Sequence, residues 1–329
     1  MYDFLIAADL MVPDPDGHAE LLVEKLGVHS HPRWRQAPES MKSGLDSTHN
    51  YIAHFLRVNK SLAQAPTRLE PQHHWDVPNA VDPSFGAHLR SLEEFQGVHR
   101  PIKTHSITVA YNDIENLLER LVSRRLPFRV APRDEVLWFA RVWTGITPED
   151  PVYRGAVDGG LSIEFHSGVP LQLPAEAYTE PYPEPVDPAP GEMIRITARA
   201  NLVRDLDSTL GTLAANLDWE PIGPVEVFPE EGIRRARLGF RLAHSATIDL
   251  IEPTRWACET GQYLHTYGPG PYYIRIAVNG LDAKADDLRN RGTRFSWLPE
   301  SPAAGGRRIQ IDPAELAGTL IEFVEWVPR

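Results

Sequence analysis

The chain has little that could staple it, anchor it or cradle a phosphate. A single cysteine, Cys258, stands among 329 residues, so neither an intrachain disulfide nor a cysteine-based zinc cage can form. One thiol in a chain of this size fits a reducing compartment, and the cytoplasm is the expected location. No run approaches the roughly 18 apolar residues of a membrane span. The opening residues 1–9 carry no basic segment and give way to Asp and Pro too soon for a signal peptide. Positive charge is in deficit: 33 Lys and Arg against 45 Asp and Glu leave a formal charge of -12, which argues against nucleic acid or an anionic membrane as a partner. The glycines at 268, 270, 305 and 306 are not placed between a strand and a helix as in phosphate-binding loops, and there is no Gly-x-Ser-x-Gly elbow. The remaining composition, 42% hydrophobic and 24% charged, is that of an ordinary globular protein long enough for two domains.

The stretch 102–168 carries the densest pattern. It opens on a strand-like run, Ile-Lys-Thr-His-Ser-Ile-Thr-Val-Ala, with His105 near its middle. A helical pattern follows, with Ile114, Leu117, Leu118 and Leu121 at i, i+3, i+4 and i+7. It closes on Leu-Ser-Ile-Glu-Phe-His-Ser-Gly, where alternation puts Ile163 and Phe165 on one face and Glu164 and His166 on the other. An imidazole and a carboxylate facing one concavity would offer metal-ligand chemistry.

The same unit recurs. Helical patterns run through Ala19, Leu22, Val23 and Leu26 between Asp16 and Gly27, through Leu206, Leu210, Leu213 and Leu217 after Asp205, and through Leu281, Ala285 and Leu288 before Gly292. Each is followed by a strand-like segment with a central carboxylate: Glu70, Glu164, Asp249 and Glu322. Counting back nine residues from each helix start gives Leu10, Thr197 and Tyr272 as counterparts of His105. Seven prolines between Pro170 and Pro190 read as an extended connection. The stretches 72–100 and 254–271 read as irregular joins.

A β-α-β-β-β unit occurring four times, with a histidine in a first strand and a glutamate in a last strand, resembles the vicinal oxygen chelate superfamily. That superfamily includes glyoxalase I, methylmalonyl-CoA epimerase, fosfomycin and bleomycin resistance proteins and extradiol dioxygenases. Residues 311–324, Ile-Asp-Pro-Ala-Glu-Leu-Ala-Gly-Thr-Leu-Ile-Glu-Phe-Val, resemble its module ending, and residues 105–113 and 276–282 resemble its opening strand and turn. The resemblance implies an α+β fold of four βαβββ modules forming two paired, cupped β-sheet barrels with helices outside. The expected N-terminal domain is 1–168, with modules 1–97 and 98–168. A linker spans 169–192, and the C-terminal domain is 193–329, with modules 193–254 and 268–329. Pairing of the first unit with the second, or of the second with the third, both remain open.

The resemblance also implies a divalent metal held by first-strand and last-strand residues. In the N-terminal half His105, Glu164 and Glu70 are the candidate ligands, for zinc, nickel, manganese or iron(II). In the C-terminal half only Glu322 fits the dioxygenase pattern of two histidines and a glutamate, and Glu322 and Asp249 are expected to be neutralised by Arg275, Arg199 or Arg195. Ten of the thirteen histidines lie within the first 105 residues. Of all thirteen, His54, His74 and His166 are the candidate proton carriers, because neutral imidazole serves as a base near pH 7. The expected function is metal-dependent isomerase or lyase chemistry on a small molecule with two vicinal oxygens. A metal-dependent dioxygenase and a metal-free binding or resistance protein are the alternatives. The expected partner is a small-molecule substrate, and the expected state is a monomer or homodimer.

Overall fold

A computed structural model describes residues 1–30, 50–75, 84–97, 100–101, 103–131, 141–167 and 173–328. The N-terminal half runs β1 (Phe4–Leu5), β2 (Ala7–Met11), α1 (Pro15–Leu26), β3 (His29–Ser30), β4 (Asn50–Ala53), β5 (Leu56–Arg57), β6 (Arg68–Trp75) and α2 (Ser84–Gln96). It continues with β7 (Ile107–Ala110), α3 (Ile114–Ser123), β8 (Phe128–Ala131), β9 (Arg141–Thr144) and β10 (Ile163–His166). The C-terminal half comprises β11 (Met193–Leu202), α4 (Leu206–Leu217), β12 (Glu226–Phe228), β13 (Ile233–Leu238), β14 (Thr247–Pro253), α5 (Glu259–Tyr267), β15 (Gly270–Val278), α6 (Leu281–Asn290), β16 (Phe295–Ser301), β17 (Gly306–Ile311) and β18 (Leu320–Glu325). The fold is mixed α+β, with cupped sheets.

The four periodic helices form where their apolar spacing and caps require. Asp113 and Asp205 accept the first free amides of α3 and α4, at Asn116 and Ser208. For α1 the cap is Asp14, not Asp16: Pro15 takes the first helical position and Gly27 closes the helix at φ +79°. Two further helices replace expected irregular joins. In α2, Leu92 is 1% exposed, and α5 is capped by the Cys258 sulfur, which accepts from the Gly261 amide. His54 and Phe55 separate two short strands, β4 and β5.

In each recurring unit the first strand pairs in parallel with the last: β2 with β6, β7 with β10, β11 with β14, and β15 with β18. Right-handed packing of the intervening helix against the sheet makes that pairing natural. The β11 and β15 strands pair antiparallel, so the C-terminal half is one eight-stranded sheet in the order β12-β13-β14-β11-β15-β18-β17-β16. In the N-terminal half β1 pairs with β7 while β2, continuing the same strand, belongs to the other five-stranded sheet. Strand pairing therefore joins the first unit to the second and the third to the fourth.

One hydrophobic cluster passes through both halves, from Leu22 and Leu26 to Leu213, Leu217 and Phe323. Burying each such side chain contributes about 1.5–3 kcal/mol. Polar contacts reinforce the seam: the Tyr2 hydroxyl donates to the Leu217 carbonyl at 2.7 Å, and the Lys284 ammonium donates to the Leu26 carbonyl at 2.9 Å.

Candidate functional site

Asp9, Glu70, His105 and Glu164 meet in the N-terminal half, each nearly excluded from solvent. Parallel pairing of β2 with β6 sets Asp9 beside Glu70, and pairing of β7 with β10 sets Thr108 beside Glu164. His105 stands just before β7, not in the middle of a longer strand. Ile102 and Gly168, which bound the stretch singled out above, lie outside the described residues.

Counting from the helix misplaced the first-unit counterpart of His105. Leu10 is fully buried in the hydrophobic cluster on the opposite face. Its neighbour Asp9 turns to the site, because successive side chains in a strand alternate.

Asp9 is the hub. Its Oδ2 accepts from the His105 amide at 2.7 Å, the His105 ring Nδ1–H at 2.6 Å and the Thr104 hydroxyl at 2.6 Å. Its Oδ1 accepts from the Gln72 side chain at 2.6 Å. On the far side of the ring His105 Nε2 faces Glu164 Oε2 at 2.7 Å, and the Ser106 hydroxyl donates to the same oxygen at 2.9 Å. The other oxygen of Glu164 lies 2.8 Å from His166 Nε2 and 3.9 Å from the Arg141 guanidinium.

The electrostatics follow from this crowding. Burial would lower the His105 pKa, but Asp9 and Glu164 outweigh it and hold the imidazole up at about 10. Burial would raise Glu164, yet His166 and His105 bring it well below the usual carboxylate range. For Glu70 the compensation from His105 and Arg68 is too small. Burial, then the charges of Asp9 and Glu164, push it up to about 8. His88 on α2 is buried close enough for Arg129, His105 and Glu164 to act on it, and burial first, then Arg129, holds it near 3 as a neutral imidazole.

The structure thus brings together Glu70, His105, Glu164 and His166 of the expected residues. His54 lies apart, its Nε2 paired with Asp16 on α1. The side chain of His74 lies outside the described residues. Asp9, Gln72 and His88 were missed. The alternation of Asp9 against Leu10 was the available signal for the first.

The donor chemistry fits a divalent cation. The His105 ring faces Glu164 with Nε2 and donates from Nδ1 to Asp9, the usual support for a metal-bound histidine, and Glu70 is buried nearby. Burial and then the charge of Asp9 raise Glu70, and a cation would offset both. Among the described residues no three His, Cys, Asp or Glu side chains are set out as a finished cage.

In the C-terminal half Glu322 pairs with Arg275 at 2.9 Å, as expected, but Asp249 has Arg235 at 3.7 Å as its nearest cation. Arg199 faces the opposite way and donates to the Asp9 carbonyl at 3.2 Å.

No protein-family model matches the chain, and no curated protein matches it. Among solved structures, a methylmalonyl-CoA epimerase from Mycobacterium tuberculosis is 29% identical over 40% of this chain and 88% of its own, with a TM-score of 0.36. A single-substitution variant of the Streptomyces coelicolor methylmalonyl-CoA epimerase, in complex with 2-nitronate-propionyl-CoA, is 30% identical over 40% of this chain and 93% of its own, with a TM-score of 0.36. A methylmalonyl-CoA epimerase in complex with methylmalonyl-CoA and NH4+ is 28% identical over 40% and 92%, with a TM-score of 0.35. The parallel pairing of first with last strand in each unit is the arrangement expected of a recurring β-α-β-β-β module.

Proposed function

We propose that the chain is a metal-assisted proton-transfer enzyme, an isomerase or lyase acting at the His105 site on a small molecule with two neighbouring oxygens. The observation that carries this reading is the convergence of Asp9 and Glu164 on the two ring nitrogens of His105, with Glu70 buried beside them. His105, Glu164 and Glu70 would hold the cation, of a borderline kind such as zinc, nickel, manganese or iron(II). Such an ion supplies Lewis-acid stabilisation of negative charge on substrate oxygens.

The chain's own groups do the rest. Asp9 holds the Nδ1 proton of His105, which fixes the tautomer and aims Nε2 at Glu164. Thr104 and Gln72 lock Asp9 in turn. His166 is the most solvent-accessible member of the cluster, at 15% side-chain exposure, and its contact with Glu164 Oε1 places it to pass a proton between the buried groups and the outside.

A second reading has one observation behind it. The His105 ring already bridges Asp9 and Glu164 through its two nitrogens, a self-sufficient network for a metal-free binding cleft.

Methylmalonyl-CoA, bound by one of the solved proteins above, is the first probe. In deuterated water the account expects carbon-bound deuterium to appear in it only with an added divalent ion, and not with His105→Ala or Glu164→Gln. Exchange that persists without any divalent ion, or that survives both substitutions, would overturn the assignment.

A further inference from the structure

The inner face of the eight-stranded sheet holds charged groups with no part in the His105 site. Arg235 on β13 and Arg275 on β15 are each 6% exposed, and they are built alike. Arg235 sets Nε and Nη2 on Glu226 Oε2 at 3.0 and 2.9 Å. Arg275 sets the same two nitrogens on Glu322 Oε2 at 3.2 and 2.9 Å. Both Nη1 groups turn to one atom, the carbonyl oxygen of Ala303, which lies 3.5 Å from that of Arg275, and the Arg235 Nη1 also lies 3.7 Å from Asp249 Oδ2. Two buried guanidiniums meeting at one oxygen suit a carboxylate. A neutral carbonyl is the weaker occupant, because hydrogen bonds to an ionised acceptor are roughly twice as strong.

Ala303 reaches that position because the connection between β16 and β17 turns into the cup. Glu231, between β12 and β13, latches it: its Oε1 accepts from the Ser301 hydroxyl at 2.9 Å and from the Ala303 amide at 3.1 Å. Gly305 and Gly306 follow at φ +80° and +135°, and a Cβ at either would meet nothing within 4 Å, so the strap leaves the cup through an unobstructed glycine pair. The strap divides the cup into two chambers that share Arg275 and Ala303. One, of about 230 Å³, is walled by Tyr272, Tyr273 and Arg308. The other, of about 330 Å³, presents four guanidiniums, Arg195, Arg235, Arg237 and Arg275, against the carboxylates of Asp249 and Glu325.

The geometry points to a second small-molecule site in the C-terminal half: a pocket for a small carboxylic acid, closed by the 302–305 strap, whose Ala303 carbonyl stands where one oxygen of the ligand's carboxylate belongs. The larger chamber has room for on the order of ten non-hydrogen atoms, taking about 30 Å³ for each water-sized group. Phosphate suits it less, since the two Nη1 groups converge on a single oxygen and the other nitrogens are held by Glu226 and Glu322. A ligand that enters must displace the strap, so its apparent affinity scales with the fraction of open chains.

The test uses lactate, succinate and inorganic phosphate, titrated calorimetrically into the full-length protein, with amide hydrogen exchange followed over 301–306. The expected result is that a carboxylate binds once per chain and more tightly than phosphate, and that exchange at Ala303 and Ala304 rises in the complex. Glu231→Ala, a substitution at the rim, should speed that exchange in the free protein and tighten carboxylate binding about tenfold, the effect of two net hydrogen bonds lost from the closed form. Arg275→Lys should weaken binding at least tenfold with secondary structure retained by circular dichroism. The proposal is overturned if no acid binds either wild type or Glu231→Ala, if an acid binds without changing strap exchange, or if phosphate binds more tightly than both acids. None of these outcomes depends on the His105 site.

Discussion

Replacing Asp9 with Asn removes the carboxylate on which the N-terminal site is assembled. Its two oxygens receive the His105 ring, the His105 amide, the Thr104 hydroxyl and the Gln72 amide, all within 2.7 Å. The His105 pKa is raised from 6.5 to about 10 because Asp9 and Glu164 overcome the opposing effect of burial. A raised imidazole pKa means stabilisation that is complete below about pH 6.5 and is lost as pH climbs through about 10. The rise corresponds to roughly 5 kcal/mol, divided between the two carboxylates. Removing one of them leaves a buried imidazolium half-paired, at a cost of about 3–5 kcal/mol near pH 6.5 and markedly less above pH 10. Urea unfolding of metal-free wild type and Asp9→Asn at pH 6.5, 8 and 10, with the His105 ring shifts followed by NMR, measures both quantities. A wild-type His105 that titrates near 6.5, or an Asp9→Asn cost below about 1 kcal/mol at pH 6.5, would refute the reasoning.

Two further substitutions test the packing that holds the site. Leu117→Ala empties a fully buried position on α3 and should cost about 2–5 kcal/mol in chemical denaturation, against clearly less for Leu118→Ala one residue along, where the side chain is only half-buried. Gly159→Ala, at φ +70° and with its new Cβ 2.7 Å from Thr209 Cγ2 on α4, should lower stability by about 1–3 kcal/mol, read as a fall in melting temperature. Equal losses at Leu117 and Leu118, or a neutral Gly159→Ala, would contradict the packing described.

The four amphipathic helices and their closing strands were legible because period 3.6 and period 2 are written directly in the order of apolar residues. So were Glu164 and His166, which alternate against Ile163 and Phe165. What failed was counting between elements. Ala19 is the fifth residue of α1 whereas Ile114 is the first of α3, so a fixed offset from the first apolar position landed on Leu10, and strand register, which only the paired sheet reveals, selects Asp9 instead. The α2 helix escaped notice because Gly86 and the polar residues among its apolar positions blur its pattern. Its contribution to the site, His88, was therefore hidden among many histidines. The C-terminal cup followed expectation in having its carboxylates neutralised by arginine. Which arginine serves Asp249 depended on the face that Arg199 adopts, and no periodicity distinguishes that in a strand buried on both sides.

The central claim is that His105, Glu164 and Glu70 can hold a cation, and proton release on metal addition tests it most directly. Protein purified without a histidine tag and stripped with chelator would be titrated with zinc or manganese at pH 7 in weak buffer, counting bound metal and released protons together. The account predicts about one equivalent bound, with release of the protons that Glu70, raised to about 8, and His105, raised to about 10, carry at that pH. Both signals should be lost in His105→Ala and Glu164→Ala. Wild-type protein that takes up no metal, or that takes up the same amount after both substitutions, would contradict it.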